Sequence, residues 1–380
     1  MSIFQFNSKI KKVILYVIIL LVAGINIILT VILLTGAKVS FLPSELSENN
    51  YGVKYTLLDS KNDEYKKQYK LKNVIAWIAS FDYQNGKNQF YKNIGKFTEI
   101  SPVNYDVNAD GTMSARSVAR DADLVNIAHK NGVKITPTII CFDENALQAM
   151  LNDENKFSAH QDFIMKEIKD NNYDGIDIDY ESINLTDKEL YLKMIQDLSE
   201  KLHELGKTLS VSLIAKDKDS GYSSLIETRQ VQDINFIGRY ADEMRIMAYD
   251  YSPDTTPGPV SPINWVNNVI NYNIDKTIKE KIILGQPMYG YAYGAKRYAY
   301  TFDEIDEIIK SQNLTSTFDE TNNEKNLVFK KGNEERKMWY QDGETMLKRF
   351  NLIDTTGIGG VSFWRLGGED QGIYGYLAKK

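Results

Sequence analysis

From Asn73 onward, short apolar runs alternate with stretches whose apolar residues recur at helical spacing. Eight runs read as strands: 74–78, 99–103, 133–139, 175–179, 208–214, 243–248, 282–287 and 360–364. Helical periodicity lies between most of them. Residues 121–131 place Leu124, Val125, Ile127 and Ala128 along one face. Residues 186–205 open on Thr186 and Glu189, a capping-box pair, and repeat Leu190, Leu192, Ile195, Leu198 and Leu202 before Gly206 ends the helix. Strands alternating with helices predict a parallel sheet, and eight such units in about 300 residues predict a closed (β/α)8 TIM barrel. An open doubly wound sheet is the competing α/β architecture. Its Gly-rich phosphate loop is missing after the first strand, where Ser80-Phe81-Asp82-Tyr83 stands instead. The connection from about residue 291 to 340 is too long for one helix. A helical piece (302–312) and strand-like pieces (316–318, 326–329, 337–340) predict a small α+β insertion between strands 7 and 8, forming one wall of a groove.

The N-terminal pattern is different. Residues 13–35 are almost continuously apolar, interrupted mainly by Gly24, Asn26 and Thr30, and are about long enough to cross a roughly 30 Å hydrocarbon core. Lys9, Lys11 and Lys12 precede the run, so the positive-inside rule leaves 1–12 in the cytoplasm. The expected organisation is a single-pass plasma-membrane anchor (13–35), a polar stalk (36–71) and an extracytoplasmic barrel (72–380). A cleaved signal peptide is the alternative. Thr35-Gly36-Ala37 offers a weak cleavage site, but the run exceeds the roughly 7–15 residues of a signal core.

Composition narrows the chemistry. The net charge of −6 lacks the basic surplus of a nucleic-acid binder. The single cysteine, Cys141, permits no internal disulfide and has no evident His partner, so it reads as a small buried residue. His129, His160 and His203 have no metal-ligand spacing, and no zinc site is expected. The 24 tyrosines suit both a core and a groove that stacks on flat ligands such as sugar rings. The oligomeric state is left open.

The segment Asp174-Gly175-Ile176-Asp177-Ile178-Asp179-Tyr180-Glu181 carries the chemistry. Alternate residues of a strand share a face, so Asp177, Asp179 and Glu181 point one way, successive acids about 6–7 Å apart along the strand. Acids that close at the rim of a packed interior cannot all ionise comfortably, and at least one is expected to hold its proton. A carboxylic acid protonated near neutrality is what a glycosidic leaving oxygen needs, and barrel sites lie at the C-terminal ends of strands, where Glu181 stands. The alternating isoleucines argue against a solvated acidic loop. A Mg²⁺ site on inward acids is an alternative. Asp106-Val107-Asn108-Ala109-Asp110-Gly111 begins like a calcium loop, but its twelfth position is Ser117, so it reads as a turn.

Asp174-x-x-Asp177-x-Asp179-x-Glu181 resembles the signature of glycoside hydrolase family 18, the chitinase and endo-N-acetylglucosaminidase family, on its fourth barrel strand. Met247-Ala248-Tyr249-Asp250 resembles the family's Met-x-Tyr-Asp on the sixth strand, and Trp364 the tryptophan that floors the sugar subsite beside the cut bond. Gln286-Pro287-Met288-Tyr289-Gly290-Tyr291 and Ile100-Ser101-Pro102 are similar to the bacterial spore-cortex and cell-wall branch. The resemblance implies a retaining, substrate-assisted glycosidase acting on an N-acetylglucosamine-containing polysaccharide without metal or organic cofactor. It implies Glu181 as acid and base, Asp179, Asp177 and Tyr249 as catalytic partners, and Asp250, Met247, Trp364 and Tyr289 in substrate binding. Asp174 and Gly175 are expected to be structural. The Ser-x-Gly-Gly motif common in true chitinases is missing from the third strand, which argues against crystalline chitin as substrate. A catalytically inactive sugar-binding protein and a scaffold protein are the competing functions. The first conflicts with the retained Glu181, and nothing in the sequence selects the second.

Overall fold

The computed structural model describes residues 67–219 and 226–379. Eight strands of its ten-stranded central sheet form the barrel: β1 (Asn73–Ile78), β2 (Glu99–Val107), β3 (Thr138–Cys141), β4 (Gly175–Tyr180), β5 (Thr208–Ile214), β6 (Glu243–Met247), β7 (Ile282–Pro287) and β8 (Gly360–Trp364). Each strand pairs in parallel with the next, and β8 pairs with β1, so the sheet closes into the expected barrel. Helices pack outside it. The anchor assigned to 13–35 and the stalk up to residue 66 lie outside the described residues. Among the described residues no helix is long and apolar enough to cross a membrane.

The third strand departs from its expected form. The run 133–139 is not continuous: Lys134–Ile135 pairs with β2, and β3 resumes only at Thr138. Pro137, which has no N–H for the ladder, sits in the break and offers only its carbonyl, to the amide of Asp177 at 2.9 Å. The β2 register shifts between Val103 and Tyr105, opposite Thr138 and Ile139 where β3 resumes. The helix expected from Thr186 also starts differently. Leu185–Asp187 form a 3₁₀ turn whose Thr186 amide is capped by Asn184, and the α-helix runs Lys188–Glu204. The Thr186–Glu189 capping box therefore does not form, because the Asn184 carboxamide already accepts from the Thr186 amide and hydroxyl. Gly206 takes the left-handed conformation expected of it.

The insertion between β7 and β8 is a five-stranded antiparallel sheet ordered Arg297–Thr301, Tyr289–Tyr293, Glu334–Tyr340, Glu324–Lys331, Thr317–Asp319, with the helix Phe302–Gln312 against it. It starts at Tyr289, two residues before the expected boundary. Ala292, Tyr300, Ile305, Leu327, Phe329, Met338 and Tyr340 give it a core of its own. One buried ion pair ties it to the barrel. Glu324 accepts from the amides of Val260 at 2.9 Å and Ser261 at 2.6 Å, just ahead of the helix Ile263–Ile274. Arg349, fully buried on the helix Gly343–Thr356, lies 3.9 Å from it. Glu324→Ala leaves that guanidinium without its counter-charge. The expected loss is about 3–5 kcal/mol in urea unfolding at pH 8, and a loss below about 1 kcal/mol would show the pair to be dispensable.

Candidate active site

The acid strand owes its position to its entry residues. The Asp174 carboxylate accepts from the Ile135 amide at 2.8 Å and lies 2.8 Å from His129 Nε2, which fixes β4 against the preceding strand. Gly175 allows β4 and β5 to close up, since a Cβ there would lie 2.3 Å from the Thr208 carbonyl oxygen. Both residues stand at the strand's entry, outside the cavity lining. Beyond them the alternation is as read. Ile176, Ile178 and Tyr180 are buried, and the Tyr180 hydroxyl meets His160 Nε2 at 2.6 Å on the surrounding helix Glu154–Asp170. The three acids take the opposite face.

Depth separates the acids. Asp177 is fully buried inside the barrel. It accepts from Trp77 Nε1 at 3.1 Å, Thr138 at 3.0 Å, Ser210 at 2.8 Å and Ser212 at 3.1 Å. Asp179, one step higher, is half-buried, and its Oδ1 is shielded from solvent without a partner among the described residues. Burial and then the charges of Glu181 and Asp177 push its carboxyl well above the usual range, against the pull of Arg245. Glu181 follows the last residue of β4. Burial first, and the Asp250 charge second, push its carboxyl up to about 7.

Strand β6 delivers the facing wall. Tyr249 is kept protonated far above neutrality by burial and by Asp179, so it presents a hydroxyl donor. Asp250 adopts a left-handed backbone conformation (φ 56°), rare for a non-glycine residue and characteristic of functional sites. The Tyr289 hydroxyl donates to its carboxylate. The Tyr291 ring meets Tyr289 edge-to-face at 5.2 Å and lies beneath the Arg297 guanidinium at 3.9 Å. The insertion thus reaches the site by steadying Asp250.

Asp179, Glu181, Met247, Tyr249, Asp250 and Trp364 line one cavity of about 820 Å³. That volume suits a ligand of a few sugar rings. Four of the residues singled out in the sequence stand elsewhere. Asp177 lies beneath the cavity, Asp174 and Gly175 at the start of the strand, and Tyr289 behind Asp250. Sequence reading missed the aromatic rim. Phe81 (74% exposed), Phe142 (58%) and Tyr251 (51%) border the same cavity, each within a few residues of a strand's C-terminal end. Large apolar side chains left in water next to a site mark a binding surface. Their signal was an aromatic residue in the first turn after β1, β3 and β6. Cys141 is buried beside Phe142, and burial pushes its thiol up to about 11, which disfavours the thiolate.

A carboxyl raised to about 7 at the cavity surface has a proton available to donate in neutral solution. Its activity is expected to fall above about pH 7. Because Asp250 raises Glu181 through like charge, Asp250→Asn should move this alkaline limb to lower pH, read from the pH profile of kcat/KM. An unmoved limb in that variant would detach the limb from Glu181.

Residues 60–370 match the family Glycosyl hydrolases family 18. The chain is 26% identical over 247 residues to the uncharacterized glycosylase YvbX of Bacillus subtilis (strain 168), covering 63% of this chain and 70% of that protein. It is 25% identical over 288 residues to the cortical fragment-lytic enzyme of Bacillus anthracis, covering 71% of this chain and 65% of the relative, so the matches span about two thirds of the relatives' own length. The fold superposes on the Bacillus cereus spore cortex-lytic enzyme SleL with TM-score 0.73 at 20% identity, over 82% of this chain and 76% of that one. It superposes equally, with TM-score 0.73, on a chitinase from Chromobacterium violaceum at 19% identity, over 80% of this chain and 98% of that one. A closed barrel, an acid strand ending in its cavity and a family match that spans both lead to one assignment: the chain belongs to glycosyl hydrolases family 18 and is a glycoside hydrolase.

Proposed function

We propose that the chain cleaves β-linked N-acetylglucosamine-containing glycans, peptidoglycan or a chitin-like polymer, by a retaining substrate-assisted mechanism. One observation carries this reading: Glu181, a carboxyl raised to about 7, shares a cavity with Asp179, Tyr249 and Trp364. No second carboxylate is needed as nucleophile in this chemistry. Glu181 gives its proton to the leaving oxygen as the glycosidic bond breaks. The carbonyl oxygen of the substrate's 2-acetamido group attacks the anomeric carbon, and an oxazolinium ion forms. Asp179 accepts from the acetamido N–H and balances the developing positive charge. Tyr249 donates to the acetamido oxygen and aims it. Asp250 holds the distorted ring, and Met247 and Trp364 pack against it. Glu181, now a carboxylate, takes a proton from water, which attacks the same carbon and restores the configuration.

The apolar run 13–35 supports a further part of the proposal, that the enzyme is tethered in the plasma membrane with its barrel outside, within reach of the wall. Three relatives are cortical fragment-lytic enzymes of bacilli, which favours peptidoglycan over chitin. The test is incubation of the purified protein with N-acetylglucosamine oligomers and purified cell wall. New reducing ends from either support the proposal. Glycan binding without new reducing ends would support an inactive sugar-binding protein instead.

A further inference from the structure

Beneath the acid strand lies a buried charge network that the mechanism above does not use. Arg245 points into the barrel from β6 and is fully buried. Its Nη1 donates to Ser101 at 2.8 Å and lies 3.6 Å from Asp177 Oδ2. Its Nη2 donates to Glu99 and, at 3.2 Å, to Glu243. The guanidinium also stands 5.7 Å from the ring of Trp77, the indole that donates to Asp177. One cation therefore serves three carboxylates from three strands. They cannot all be anions at little cost, and the surplus shows at Glu243, which burial and Glu99 push up to about 7. Lys134 is the further cation that acts on Glu243.

The donors around Asp177 decide where a proton can sit above this network. Trp77 Nε1 and the guanidinium can only donate, and both face Asp177 Oδ2. A proton on that oxygen would set donor against donor. Asp179 has the opposite surroundings: an unpartnered buried oxygen, with Glu181 and Asp177 as its charged neighbours.

We propose that Arg245 is a positioning residue of the catalytic strand. Its positive charge holds Asp177 as a carboxylate, with donor-only partners at Oδ2, so that the proton beneath the reacting sugar stays on Asp179 instead of passing to Asp177. This rests on the roles given above to Glu181 as acid and to Asp179 as acceptor of the acetamido N–H. It moves the negative charge that balances the oxazolinium ion from Asp179 to Asp177 beneath it.

The test uses the full chain with Arg245→Met and Arg245→Lys, on an N-acetylglucosamine oligomer with a chromogenic leaving group. Arg245→Met is expected to lower kcat by at least about 10²-fold with KM little changed. It is also expected to move the acid limb of kcat/KM up by roughly 1–3 pH units, the range by which an adjacent opposite charge lowers a carboxyl. Arg245→Lys, which keeps the charge, should recover most of both. A merely structural arginine would lower the amount of active protein and leave the profile in place, so an unmoved acid limb in Arg245→Met overturns the proposal. Should Arg245→Met not fold, Arg245→Gln, which also removes the charge, decides by the same criterion. Should wild type cleave no oligomer, the functional reading fails separately. Carboxyl-carbon NMR of aspartate-labelled protein then decides: the proposal requires Asp177 to titrate at higher pH in Arg245→Met than in wild type, and identical titration overturns it.

Discussion

Glu181→Gln is expected to lower kcat on N-acetylglucosamine oligomers by about 10²–10⁴-fold, the range that positioned proton transfer contributes. That corresponds to roughly 3–5 kcal/mol of transition-state stabilisation. The substitution keeps the size and shape of the side chain and removes only its acidity. Glu181 lines the cavity and carries no part of the barrel core, so the fold and the sugar affinity should persist. Affinity is read by calorimetry on the same oligomers. The leaving group supplies the discriminating control. A dinitrophenyl glycoside departs without protonation, so the variant should lose much less activity on its first bond-breaking step than on an oligosaccharide. Equal losses on both would mean that Glu181 does not act as the acid.

Replacing the acetamido group at the cut site by a hydroxyl is expected to have a still larger effect, on the order of 10⁵-fold or more in kcat/KM, because an intramolecular nucleophile of very high effective concentration is removed. Asp179 and Tyr249 would then face a group that can neither donate nor accept as the acetamide does. An enzyme with a carboxylate nucleophile about 5–5.5 Å from the acid would tolerate the change far better. Paired oligomers that differ only at this sugar make the comparison, and comparable rates on the two would remove the substrate-assisted scheme.

Much of this arrangement is legible in the sequence because the barrel is built from period-two patterns. The alternation Gly175-Ile176-Asp177-Ile178-Asp179 encodes which residues meet the helices and which meet the interior, and β4 follows it. The same rule applied to Glu243-Met244-Arg245-Ile246-Met247 would have turned Arg245 inward. That segment lacks a run of like charges, so its polar face drew no attention. The break in the third strand turns on Pro137, whose effect depends on which neighbour needs the missing amide. The first insertion strands, Tyr289–Tyr293 and Arg297–Thr301, were hidden because tyrosines alternate with Gly and Ala, a pattern as compatible with a groove lining as with a strand. The tie between Tyr289 and Asp250 crosses from insertion to barrel and leaves no local trace in the sequence. The capping box at Thr186 was a genuine local signal displaced by a nearer competitor, Asn184.

The most direct test is proton NMR of the first moments of oligomer hydrolysis, before the products mutarotate. The mechanism assigned to Glu181 and the substrate acetamide predicts new reducing ends that appear first as the β anomer. Initial formation of the α anomer, or no new reducing ends at all, would contradict it.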